Sequence, residues 1–155
     1  ASSKSQRIYE LRSALVDPKV KIIWAFRGGY GASEIVFDFI DLKPNEIKPK
    51  ITIGFSDITV LLLLFWQKFK MPAIHGSVLT ALIDKQANML NPIISVLSSH
   101  DMRFVLNPLN ERANNAVITS KITGGNLAVI CHLIGSTLTI DTNDTIVFLE
   151  DINEK

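Results

Sequence analysis

Cysteine is almost absent from this chain: Cys131 stands alone among 155 residues. One thiol builds no disulfide framework, so the expected setting is a reducing compartment. The apolar helical run around Cys131 predicts a buried structural thiol rather than a reactive one. An excess of one charge is missing too. Lys and Arg number 16 against 15 Asp and Glu, a formal net charge of +1. Without a basic stripe, nucleic acid is excluded as the main partner. Long hydrophobic runs are also lacking. The longest, Val60 to Trp66, is far short of the roughly 20 residues of a membrane-spanning helix, and no secretory signal is visible. The three histidines, His75, His100 and His132, lack the spacing of a metal cluster, so neither a metal nor another cofactor is expected. Neither G-x-G-x-x-G nor a Walker loop is completed, and there is no internal repeat or low-complexity segment.

What is there suits a folded core. At 47% hydrophobic and 20% charged residues, the chain reads as one domain or a large part of one. Ile8, Leu11 and Leu15 recur at helical spacing until Asp17-Pro18 stops them. Val20 to Phe26 is a continuous apolar run, as in a parallel strand covered on both faces. A glycine-rich turn, Arg27 to Gly31, leads into a short helix marked by Ile35, Val36, Phe39 and Ile40. A strand is expected from Lys50 to Phe55, a helix from Asp57 to Phe69, and a short strand from Ala73 to His75. Helical patches follow at Val78 to Ile83 and Ile93 to Leu97, with short strands at Met102 to Leu106 and Val117 to Lys121. Gly124-Gly125-Asn126 is expected to open a helix through Ile134, and Thr145 to Leu149 is the last strand. This alternation predicts an α/β fold, a parallel sheet flanked by helices. Ligands of such sheets sit beyond the carboxyl ends of the strands.

Two unusual turns fall at that edge, Arg27 to Gly31 and Gly54 to Asp57. In Gly54-Phe55-Ser56-Asp57 a β-branched strand ends in glycine, a serine follows two residues later, and a helix starts at once. That is the layout of a nucleophile elbow, although Ile58 stands where the full G-x-S-x-G has glycine. Ser56 is the candidate nucleophile, with helix capping as its plainer alternative. The N–H of Asp57 follows it directly, where an elbow supplies one oxyanion donor. Gly28 and Gly29, lacking a Cβ, can bring bare backbone against a ligand. His75 ends a strand on the same edge and is open to a base role or a structural one. His100 and His132 read as bystanders. Glu150, Asp151 and Glu154 gather after the last strand, a position from which a triad acid often comes, with ordinary solvated loop charge as the plainer alternative.

Five segments in order, Arg27-Gly28-Gly29-Tyr30-Gly31-Ala32, Gly54-Phe55-Ser56-Asp57-Ile58-Thr59, His75-Gly76, Gly124-Gly125-Asn126-Leu127 and Phe148-Leu149-Glu150-Asp151, resemble the serine-type LD-carboxypeptidase family. That family comprises the muramoyltetrapeptide carboxypeptidases and their microcin-immunity relatives. The resemblance implies a Ser-Glu-His triad with Ser56 as nucleophile and Glu150 as the acid. It implies an oxyanion hole from the N–H groups of Asp57 and Gly29, and a substrate site including Gly28 and Tyr30. The implied substrate is a muropeptide, cleaved in the cytoplasm between the L-centre of a diamino acid and a terminal D-alanine. In the family the triad histidine lies downstream of the Glu-Asp segment, so the chain is expected to be partial and inactive alone. Residues 1–120 are then the nucleophile-bearing domain, with its first strand missing. Residues 121–155 are a linker and the start of a C-terminal domain. A homodimer or a complementing C-terminal segment are the expected partners. Two other readings are a non-catalytic remnant that binds muropeptide or a partner chain, and a different α/β hydrolase with His75 as base.

Overall fold

The structure, a computed structural model, describes residues 2–83, 90–98, 106–111 and 117–152. His100, Glu154 and all but Leu106 of the strand expected over 102–106 lie outside these residues. Helix α1 (Lys4–Val16) starts where the Ser3 hydroxyl accepts from the Gln6 N–H and ends at Asp17, before the proline that cannot continue it. Strands β1 (Ile22–Trp24), β2 (Ile51–Gly54) and β3 (Ala73–His75) form a parallel sheet in the order β1-β2-β3. Helix α2 (Ala32–Val36) follows β1. After β2 come a single tight turn (Ser56–Ile58), helix α3 (Thr59–Leu63) and a wider π turn (Leu64–Lys68). Helices α4 (Leu79–Ile83) and α5 (Leu90–Leu97) follow β3. Strands β4 (Lys121–Asn126) and β5 (Thr145–Glu150) pair in parallel around helix α6 (Leu127–Leu133).

One core holds these layers together. Leu15 of α1, Val36 of α2, Phe39, and Val60, Leu63 and Leu64 around α3 are buried in it, and Ile130 and Leu133 of α6 join the same cluster. Each such side chain contributes about 1.5–3 kcal/mol on burial, so α6 is tied to the first sheet's helices by packing. Lys50 is the unusual member of the interior, 2% exposed. Its Nζ donates to the carbonyls of Asp17 at 2.6 Å and Val20 at 2.7 Å, closing the loop between α1 and β1. Burial pushes its pKa down.

Four expectations are corrected. The apolar run over β1 is not fully covered: Ile22 is exposed, while Ile23 and Trp24 are half-buried. Gly124-Gly125-Asn126 does not begin a helix but ends β4, and residues 117–120 precede that strand instead of forming one. Glycines at positive φ, 143° and 141°, let the strand run close to its neighbours before Asn126 caps α6. Cys131 is exposed rather than buried, because α6 turns Ile130 and Leu133 to the core and leaves the intervening position outside.

Candidate active site

The elbow is built by close packing. A Cβ at Gly54 would lie 2.6 Å from Ile58 Cγ2 and 3.2 Å from the Ala25 Cβ, so only glycine lets the returning turn sit this tightly on the strand. Ile58 therefore occupies the space that makes Gly54 necessary. Ser56 adopts φ of 59°, a left-handed conformation that a non-glycine residue holds only when its surroundings impose it. A helix cap sits in extended backbone, so this strained turn departs from the capping alternative. Nor does Ser56 hold a cap position: Phe55 precedes the tight turn and Ile58 precedes α3.

β1 delivers the opposing wall. A Cβ at Gly28 would stand 3.6 Å from Ser56 Cβ and 3.8 Å from its Oγ, so the missing methyl leaves open space beside the hydroxyl. Gly29, at φ of 118°, faces open space. The end of β1 is held by the chain leaving β3. Leu79 and Thr80 donate to the carbonyls of Ala25 (3.0 Å) and Phe26 (2.9 Å), and Trp24 Nε1 donates to the Ser77 carbonyl at 2.7 Å. Tyr30 is fully exposed in the same glycine turn.

Asp57 joins the two walls. Its buried carboxylate accepts from the Ala32 N–H at 2.8 Å, clamping the first turn of α2, and so the end of the glycine turn, against the elbow. Burial raises its pKa, against the opposing hydrogen bonds from Ala32 and Ser33. Arg7 of α1 completes the clamp. It pairs with Glu34 at 2.6 Å, and its guanidinium covers Gly31 so closely that a Cβ there would fall 2.0 Å from a terminal nitrogen. Sequence reasoning missed Arg7, because nothing in a helical pattern reveals a contact 24 residues away.

The second sheet brings up the acids. Asn126 donates from Nδ2 to Asp151 at 3.1 Å, its Oδ1 accepts from Val129, and its own N–H donates to the Thr59 hydroxyl at 3.1 Å. A Cβ at Gly125 would meet Thr59 Cγ2 at 2.5 Å. The Gly-Gly-Asn segment thus locks β4 onto the elbow helix. Asp151 also accepts from Ala128, so it serves α6, whereas Glu150 turns the other way. Its Oε1 lies 3.6 Å from Nε2 of His75. His75 is half-buried, with its ring edge-on to Phe148 at 4.9 Å and to Phe55 at 6.4 Å. Burial pushes its pKa down, against the attraction of Glu150. His132 is exposed on α6, its Nδ1 2.6 Å from the Ala128 carbonyl.

The structure therefore brings Ser56, Asp57 and Gly28 together at one strand edge and sets Glu150 beside His75. Tyr30 is exposed on the glycine turn and His132 on α6. No metal-binding cluster of three or more His, Cys, Asp or Glu occurs among the described residues, and no helix among them is long and apolar enough to cross a membrane.

Comparison with known proteins supplies the context. Residues 1–76 match the family model described as the LD-carboxypeptidase N-terminal domain, and residues 119–155 the one described as its C-terminal domain. A protein of Rickettsia conorii is 38% identical over 99% of this chain and 50% of its own length. The murein tetrapeptide carboxypeptidase of Pseudomonas aeruginosa is 30% identical over 99% of this chain and 53% of its own. The crystal structure of muramoyltetrapeptide carboxypeptidase from Oxalobacter formigenes superimposes with a TM-score of 0.80 at 27% identity, covering 99% of this chain and 53% of that one. The chain spans about half the length of the curated relatives it matches.

Proposed function

Because this chain belongs to the LD-carboxypeptidase family, we propose that it carries the nucleophile and the acid of a serine carboxypeptidase acting on muropeptides. Ser56 attacks the amide carbonyl before a terminal D-alanine, and the N–H groups of Asp57 and Gly29 hold the oxyanion. Gly28 and Tyr30 face the substrate. Glu150 orients a histidine, which in this reading comes from the part of the family's length that the chain does not span. That histidine takes the Ser56 proton and passes it to the departing D-alanine amine. Water then hydrolyses the tripeptidyl ester on Ser56. The boundary between the nucleophile-bearing domain and the C-terminal one falls near residue 120, and the setting is cytoplasmic peptidoglycan recycling.

The observation that carries this reading is the strained backbone of Ser56, φ of 59°, beside the open space at Gly28. A hydroxyl raised on such a turn, next to N–H groups at a helical start, is arranged for attack on a carbonyl. D-alanine release from a muramoyl tetrapeptide tests it. The assay takes the chain alone and the chain combined with a polypeptide covering the family's C-terminal half. Release is expected from the combination, and Ser56→Ala should lower it by about four to six orders of magnitude. Undiminished release in Ser56→Ala would sink the reading. A second reading, with His75 as the base, draws on its 3.6 Å approach to Glu150 and expects full release from the chain alone.

A further inference from the structure

His75 ends β3, in register with Gly54 of β2, and its surroundings define what it can do. Ser56 Oγ lies on the β1 side of the elbow, against Gly28, while His75 lies on the β3 side, between Phe55 and Phe148. Among the described residues no hydrogen bond joins His75 to Ser56, and its Nδ1 is buried without a partner. A base has to reach the serine proton directly or through one water, whereas the contacts of this ring are to Glu150, Phe55 and Phe148. It is aimed at Glu150. The 3.6 Å between Nε2 and Oε1 is slightly beyond hydrogen-bond range, a looseness common in catalytic pairs before substrate binds. Glu150 Oε1 is itself buried with no hydrogen-bond partner, so His75 is its neighbour of opposite function.

We propose that His75 is a positioning residue for Glu150: it donates Nε2–H to Oε1 and holds the carboxylate so that Oε2 is left to orient the triad histidine. This rests on the assignment of Glu150 as the triad acid. The two rings fix the plane of the imidazole. A proton on Nε2 leaves Nδ1 an acceptor rather than an orphaned donor. Burial favours the neutral ring, which is the form that donates one proton and keeps the other nitrogen's lone pair. The chain thus contributes a histidine that supports the acid without being the base.

Two measurements test this. In nitrogen NMR of the histidine rings, His75 is expected as the Nε2–H tautomer. Its titration midpoint should fall in Glu150→Gln and stay put in Ser56→Ala. In D-alanine release by the chain combined with the C-terminal half, His75→Phe should lower kcat about 10- to 100-fold, the size of one hydrogen bond to a charged group, with KM little changed. His75→Gln, which keeps an N–H donor, should recover most of that loss. Loss in both variants equal to that of Ser56→Ala would make His75 the base and overturn the proposal. So would an unchanged kcat in His75→Phe, or a midpoint unmoved by Glu150→Gln. If the unsubstituted combination releases no D-alanine, the Ser56–Glu150 reading fails, while a shifted midpoint still upholds the His75–Glu150 pair.

Discussion

Asp57 does two jobs with two different atoms. Its N–H is proposed to face the oxyanion, while its carboxylate fastens Ala32 and, with it, the end of the glycine turn. The carboxylate is buried and its pKa is raised chiefly by that burial. A carboxyl whose folded pKa lies above its unfolded value contributes stability fully below the ordinary value, 3.8 here. That contribution is lost as pH rises through the higher folded one. Asp57→Asn keeps an oxygen for Ala32 and removes the charge, so it should fold and be at least as stable at neutral pH. Its stability should also vary less between about pH 3 and pH 7. Asp57→Ala leaves the Ala32 N–H without its acceptor and should cost about 1–3 kcal/mol. Denaturant unfolding across that pH range checks both; a steeper pH dependence in Asp57→Asn would contradict the account.

At the scale of elements, two glycines separate packing from chemistry. Gly125 sits at φ of 141°, where an added Cβ would press into Thr59 of α3. Gly125→Ala should lower stability by about 3 kcal/mol, from backbone strain and overpacking together. Gly28 has ordinary φ, and a Cβ would meet Ser56 only at normal contact distance. Gly28→Ala should therefore change stability by less than about 0.5 kcal/mol, yet crowd the space beside the hydroxyl and cut turnover. Thermal unfolding paired with D-alanine release distinguishes the two. Such contrasts also show what was legible in the sequence. The pattern of Ile8, Leu11 and Leu15 located α1, and the glycine before Ser56 located the elbow, because local periodicity and turn chemistry decide those features. The strand ending at Asn126 was misread as a helix start, since Gly124 there makes room for Phe148 and Gly125 for Thr59, which lies 66 residues earlier. Arg7 over Gly31, and the outward turn of Cys131, likewise depend on contacts that no local window contains.

For the whole molecule, the two-stranded sheet is the exposed part. Ile122 is 61% and Leu149 53% exposed, and Ile146 and Val147 add to the same pair of strands. A ribbon of two strands is marginal unless something covers it. The chain alone is accordingly expected to self-associate, whether as a homodimer or in place of a complementing segment. Light scattering over a concentration series should show a rising mass, and a monomer throughout would contradict this. The central claim, that Ser56 is the nucleophile, is tested most directly by trapping its ester. The chain combined with the C-terminal half is quenched in acid during turnover of a muramoyl tetrapeptide, digested with trypsin and weighed by mass spectrometry. The account predicts a muramoyl-tripeptide adduct on the peptide spanning residues 51–68, absent from Ser56→Ala. An adduct that persists in that variant, or D-alanine released with no adduct on that peptide at any time of quenching, would contradict it.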